Sequence, residues 1–273
     1  VTYKTILANL NIDGPTTPLI EFSVNLAARF NAHLIGFSAA DTPVPSPTLE
    51  GHLVEGASMR RDRQEIEQRL RSLREEFGRI AGSTVSNEWR DAIQNPTRCL
   101  VETSRTTDVI VMTLSGTASF GKADRSVHLG DLVLQAGRSV LIAARGARCI
   151  FANTALVAWR DTCEARRAIL NAVPLLRQMR EVVVATVIAE TDGRIKQSLN
   201  DVTTYLLRHG VNARSEIIQE KHESRALLQF ARFIDAELVV YGAYGHSKVR
   251  RMLFGGMTRS LLNEDGISRF MSC

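Results

Sequence analysis

Short β-branched runs alternate with longer amphipathic runs along the whole chain, the pattern of a parallel sheet covered by helices. In the first half, strands are predicted at Lys4–Leu10, His33–Ser38, Thr84–Trp89, Asp108–Thr113 and Ser139–Ala143, with helices near Thr16–Asn31, Ser58–Ala81, Pro96–Arg105 and Ser126–Ala136. The second half keeps the order. Its strands are predicted at Ala155–Trp159, Glu181–Ile188, Asn212–Ile217, Glu237–Gly242 and Ser268–Ser272, and its helices near Cys163–Gln178, Asp192–His209, Glu223–Ile234 and Lys248–Asn263. Periodicity supports the helices independently. Ile66, Leu70, Leu73, Phe77 and Ile80 recur at spacings of four, three, four and three, one apolar stripe along a charged rod. Leu19, Phe22, Leu26 and Phe30 form a second such stripe, and Leu199, Val202, Tyr205 and Leu206 a third.

The two halves also align by offset. At a shift of 129, DVIVMT from Asp108 falls on ELVVYG from Glu237, Gly116 falls on Gly245, and Gly137-Arg138-Ser139 falls on Gly266-Ile267-Ser268. At the front, Ile6 and Leu7 fall on Leu156 and Val157 at a shift of 150, so the first copy carries 21 extra residues in between. Much of that excess is Asp41–Gly51, which holds three of the seven prolines and is predicted to be a loop over the carboxyl edge of the sheet. The expected organisation is two α/β domains, 1–145 and 153–273, with Ala144–Asn153 as linker. Each is an open five-stranded parallel sheet.

With 273 residues, 44% hydrophobic and 23% charged, the chain has the composition of a globular protein with a full core. No run approaches the ~18–20 apolar residues of a membrane span, and the start VTYKTILANLN lacks the regions of a signal peptide. The expected location is cytoplasmic, with no membrane partner. Cysteines 99, 149, 163 and 273 show no C-x-x-C or His-flanked spacing, which argues against a zinc site or a disulfide framework. The net charge of +5 is modest. Much of the basic excess lies in Arg60–Arg79, where Glu65, Glu67, Glu75 and Glu76 alternate with it, so a solvated helix face is favoured over a nucleic-acid stripe.

Candidate chemistry concentrates in GAYGHSKVRRMLFGGMTRSLL. Gly242 ends the fourth strand of the second half, Gly245 follows after two residues, Gly255-Gly256 after nine more, and Thr258 opens an apolar helical run. Glycine at a strand end lets backbone N–H groups approach a ligand with no Cβ in the way, and successive amides with a helix N-terminus suit phosphate. Thr258 offers a hydroxyl, and Lys248, Arg250 and Arg251 bring positive charge nearby. Neither G-x-x-x-x-G-K-[ST] nor G-x-G-x-x-G occurs in the corresponding turns. The alternative is that these glycines only make tight turns around the last helix.

The G-x2-G-x9-G spacing after such a strand, in a unit closed by a short fifth strand, resembles the universal stress protein family. The resemblance covers nearly the whole chain as two tandem copies. It implies an adenine nucleotide alpha hydrolase-like fold, with the two copies packed as an intrachain pseudo-dimer through Ser139–Ala143 and Ser268–Ser272, open to further homodimer formation and to unidentified protein partners. It also implies an adenine nucleotide, ATP foremost, at the carboxyl ends of the strands, although other members of the family bind none. A Mg²⁺ ion could accompany the nucleotide by bridging phosphate oxygens.

Carried onto this chain, the phosphate cradle is Gly242, Gly245, Gly255 and Gly256. The family's Ser or Thr after the third glycine is Gly256 here, leaving Thr258 to supply a hydroxyl. Its Asp-Gly-Ser turn after the first strand is Arg160-Asp161-Thr162, so Arg160 stands in the Asp position. Asp161 is then placed to reach a ribose or adenine edge and Arg160 a phosphate, unless Asp161 only caps the following helix. The first copy departs further: Thr113, Ser126 and Val127 replace Gly242, Gly255 and Gly256, and Asp13-Gly14 reads as a turn. Its site is expected to be degenerate.

Catalysis has little to stand on. Six histidines at 33, 52, 128, 209, 222 and 246 make no metal-binding spacing, and only His246, inside the glycine segment, is placed to contact phosphate or act as a general acid. The sequence supports a nucleotide-binding stress sensor or regulator with at most weak ATP hydrolysis, or a nucleotide-free scaffold. An adenylyl-transferring enzyme would carry S-G-G-x-D-S or H-I-G-H, and neither is present.

Overall fold

A computed structural model of the chain describes residues 2–42, 56–114, 124–189, 193–243 and 264–273, with the side chains of 56–58 excepted. The chain forms two compact units, Lys4–Ala136 and Gly137–Cys273 with Val1–Tyr3.

In the amino-terminal unit, strands β1 (Thr5–Asn9), β2 (His33–Ala40), β3 (Asn87–Ile93) and β4 (Val109–Met112) lie parallel in the order β3-β2-β1-β4. The helices are α1 (Thr17–Phe30), α2 (Gly56–Ala81), α3 (Pro96–Thr103) and α4 (Leu129–Gln135). β1 is an inner strand covered on both faces, which is why ILA reads as a continuous apolar run, and all four residues of VIVM in β4 are buried. In the α2 stripe, Ile66, Leu70, Leu73 and Phe77 are buried, and Ile66, Leu70 and Leu73 join Ile12 and Ala40 in one core cluster with Trp89 and Ile93 against it. Asn95 caps α3, its side-chain oxygen accepting from Arg98 N at 3.0 Å, and Asn31 closes α1 in the left-handed region at φ 49°.

Two elements differ from expectation. β3 begins at Asn87 and runs to Ile93, because Ala81–Thr84 is a turn in which Gly82 takes φ +46° and Thr84 N donates to Ala81 O. β3 stands at the edge of the sheet, where a strand tolerates the charges of Arg90 and Asp91. α4 begins at Leu129, three residues later than predicted, with His128 as its cap: Nδ1 accepts from Asp131 N at 3.3 Å.

In the carboxy-terminal unit, β5 (Ser139–Ile142), β6 (Thr154–Ala158), β7 (Glu181–Ile188), β8 (Ala213–Gln219), β9 (Leu238–Gly242) and β10 (Ser268–Ser272) form the order β8-β7-β6-β9-β10-β5. All pairs are parallel except β10 with β5, where Phe270 faces Leu141 across an antiparallel ladder. That ladder is the predicted pairing of the two closing strands, and it places β5 in this compact unit. The helices are α5 (Cys163–Leu176), α6 (Gly193–Arg208) and α7 (Glu223–Phe233); the helix predicted at 248–263 lies outside the described residues. Leu199, Val202 and Leu206 are buried as the α6 stripe requires. Segment 144–153 has no strand or helix but is tied down: Arg145 N donates to Asp265 O at 2.8 Å, and Glu237 accepts from Ala152 N and the Asn153 amide. Among the described residues the one buried charged side chain is Arg269 on β10, whose pKa burial pushes below the usual guanidinium value against the raising fields of Tyr241, Asp265 and Glu264.

Candidate functional site

In the carboxy-terminal unit the chain leaves β6 through α5 towards β7, whereas β9 lies on the other flank of β6 and leads on to β10. The direction of winding reverses between β6 and β9, and the crevice outside the carboxyl ends at such a reversal is where open α/β sheets bind ligands. Ala158 and Tyr241 are in register there, so the turn Trp159–Thr162 and the start of the glycine segment, Gly242–Ala243, leave the sheet side by side.

Local hydrogen bonding fixes both exits. Trp159 N donates to Ala185 O at 2.8 Å, Thr186 Oγ1 donates to Trp159 O at 2.7 Å, and the indole N–H donates to Ser198 Oγ at 3.0 Å. Ala243 N donates to Ser272 O at 2.8 Å. Thr162, not Asp161, caps α5, accepting from Ala165 N at 3.2 Å. Asp161 instead accepts from Arg166, at 2.8 Å from Nε and 2.6 Å from an Nη, and this bond with the attendant charge raises the Arg166 pKa. Arg160 donates to Glu223 at the head of α7. Arg160 and Asp161 therefore stand together at the crevice, each engaged with a protein partner.

Gly242 has a packing requirement of its own. A Cβ there would lie 2.4 Å from Ala165 N and 2.6 Å from Glu164 C, so the first turn of α5 rests directly on the end of β9. Its φ is not left-handed, so the glycine serves close approach and not an unusual turn. The other predicted site residues, Gly245, His246, Gly255, Gly256 and Thr258, lie outside the described residues, as do Gly116 and most of the proline-rich loop.

The equivalent position in the amino-terminal unit lies between β1 and β4, where Asn9 is in register with Met112. Here Asn11 Oδ1 accepts from Asp13 N and Asn11 O from Gly14 N, the tight turn expected of Asp13-Gly14. Ile12 is buried, and its carbonyl accepts from Arg69 Nε of α2 at 2.9 Å. Arg125 grips Asp13 through Nε and an Nη at 2.8–2.9 Å and reaches Glu65 at 3.1 Å with its side chain only 14% exposed; the bond to Asp13 leads the causes that raise its pKa. The clamp joins residues 112 apart and has no sequence signature.

Among the described residues no group of three or more His, Cys, Asp or Glu side chains could hold a metal ion, and no helix is long and apolar enough to cross a membrane.

No protein-family model matches the sequence, and no curated protein is a significant match. Solved structures do match. A universal stress protein from Archaeoglobus fulgidus DSM 4304 superposes with a TM-score of 0.73 over 98% of this chain and 95% of its own, at 14% identity. The chain has the universal stress protein fold. A putative universal stress protein from Pseudomonas aeruginosa UCBPP-PA14 matches at TM-score 0.60 and 14% identity over 99% and 93% of the two chains. A functionally unknown protein from Pseudomonas aeruginosa PAO1 matches at TM-score 0.60 and 12% identity over 99% and 92%. At these identities the likeness is one of fold. Within the universal stress fold, the β6–β9 crevice is the reversal point of the carboxy-terminal unit, and the glycine segment starts from it.

Proposed function

We propose that this is a stress-response sensor or regulator that binds one adenine nucleotide, ATP foremost, in the crevice between β6 and β9. The observation that carries the reading is the register of Ala158 with Tyr241, which sets the Arg160–Thr162 turn beside the origin of a segment bearing Gly242, Gly245, Gly255, Gly256 and Thr258. In this reading the backbone amides around the glycines hold the phosphates, with Mg²⁺ bridging their oxygens, and His246 and the Thr258 hydroxyl add contacts. Asp161 meets the nucleoside after exchanging Arg166 for it, and Arg160 turns from Glu223 to a phosphate. In this reading occupancy is the signal, with at most weak ATP hydrolysis. The amino-terminal unit is not a second site, because Arg125, Asp13 and Ile12 occupy its reversal point and Ser126 and Val127 replace the glycine pair. The two universal-stress-type domains of this reading are 1–145 and 153–273.

A second reading has an observation of its own. Gly242 is demanded by α5, and both charged residues of the turn already have partners, which is what a nucleotide-free scaffold would show. Thermal unfolding with and without Mg-ATP separates the two. Ligand at 100 times its dissociation constant adds ~2.7 kcal/mol. A rising melting temperature supports the sensor; no shift up to millimolar Mg-ATP supports the scaffold.

A further inference from the structure

The carboxy-terminal unit also has a cavity on the flank of its sheet, between α5 and α6. In the amino-terminal unit the corresponding helices α1 and α2 pack directly, and the hydroxyls of Thr16 and Thr17 at the head of α1 both donate to Glu76 of α2. Among the described residues α5 and α6 make no comparable contact, and a cavity of about 610 Å³ opens between them. That volume is in the range of small-molecule sites, ~300–1,000 Å³.

The walls define the chemistry of a guest. The floor is apolar and aromatic: Trp159, Ile169 and Val202 are all at most 8% exposed, with Tyr205 half-buried beside them. Leu170 forms the lip and is 51% exposed, a large apolar side chain left open to water at the mouth. The rim is polar and rich in donors. Asp161 already accepts from Arg166 and Asp201 from the Gln197 amide at 2.8 Å, while Arg166 keeps N–H groups beyond the two it gives to Asp161, and Arg194 brings a second guanidinium. From Ser198 to Tyr205 the wall is two turns of α6, about 10 Å long, which suits two fused rings and is short for a docked peptide helix.

We propose that this groove is a second ligand site, beside the β6–β9 crevice, for a planar aromatic molecule bearing an acidic substituent. The rings lie on Trp159 and Tyr205 under Leu170, and the acid meets the Arg166 and Arg194 rim. The groove borders that crevice through Trp159 and Asp161, but Tyr205, Leu170 and Arg194 lie on the helices away from it, so its occupancy does not require the nucleotide reading.

The test uses the full chain and the aromatic sulfonate 1-anilinonaphthalene-8-sulfonate, in a Trp89→Phe background so that Trp159 is the sole indole donor. Expected are saturable quenching of Trp159, at least tenfold weaker binding in Leu170→Asp, and binding within twofold of the parent in Leu207→Asp, whose leucine is equally exposed on α6 but does not line the groove. Gln197→Phe, a rim substitution at an exposed residue that adds no indole, is expected to block the groove in the same way and stands in if Leu170→Asp is unstable. Saturating Mg-ATP should leave the probe in place. Absence of saturable quenching, equal weakening by Leu170→Asp and Leu207→Asp, or displacement by Mg-ATP would overturn the proposal. The thermal-shift result with Mg-ATP stands apart from all of these outcomes.

Discussion

Replacing Gly242 by alanine tests how the end of β9 is built. The added Cβ would lie 2.4 Å from Ala165 N, 2.6 Å from Glu164 C and 2.9 Å from Ala165 Cα, about 1 Å inside ordinary contact. Every atom it meets is backbone of the first turn of α5, so no side chain can swing away. Relief requires shifting that turn, and with it the Thr162 cap and the Asp161–Arg166 pair. Overpacking of this kind costs ~1–3 kcal/mol, and rigid backbone puts it near the upper end. Alanine meets no backbone penalty here, since Gly242 is not left-handed, and the stiffer unfolded chain returns ~0.4–1 kcal/mol. The net expectation is a loss of about 2 kcal/mol, or roughly 4–8 °C in melting temperature for a chain of this size. Urea denaturation followed through Trp159 fluorescence measures it in the carboxy-terminal unit. Gly78→Ala is the control: a Cβ there meets nothing within 4 Å, and removing glycine from the interior of α2 should gain ~0.5–1 kcal/mol. If Gly242→Ala stays within ~0.5 kcal/mol of the parent without ligand, the packing account of this glycine is wrong.

Three further outcomes are expected. Thr162→Ala removes the α5 cap and should cost ~1 kcal/mol by the same urea assay. Arg125→Ala should destabilise the amino-terminal unit by ~1 kcal/mol, no more because Asp13 and Glu65 are largely exposed, and the loss should shrink in high salt when unfolding is followed through Trp89. Alkylation at mildly alkaline pH should label exposed Cys163 first, while Cys99, buried and with its thiol pKa raised by that burial, reacts only on unfolding; mass-spectrometric peptide mapping reads the order.

What was legible in the sequence follows from how local each signal is. Alternation and the Ile66–Phe77 stripe reflect the immediate environment of each residue, so the strands and the long helix were readable in advance; the pairing of β10 with β5 followed from the family resemblance, and its antiparallel sense from the structure. β3 was placed too early because an edge strand may carry Arg90 and Asp91, which in an inner strand would be prohibitive. The reason for Gly242 lay in the approach of α5, 77 residues away in sequence, and a strand-end glycine looks the same whether a helix or a phosphate needs the space. The Arg125 clamp and the α5–α6 groove depend on which helices pack and which part, and no periodicity within one helix records that.

The proposed function requires one nucleotide site, in the carboxy-terminal unit. Isothermal titration of the full chain with Mg-ATP tests it most directly, run alongside Gly255→Val and Ser126→Val. The expected stoichiometry is one, abolished by Gly255→Val and unchanged by Ser126→Val. A stoichiometry of two, no binding at all, or equal loss in both variants would contradict it.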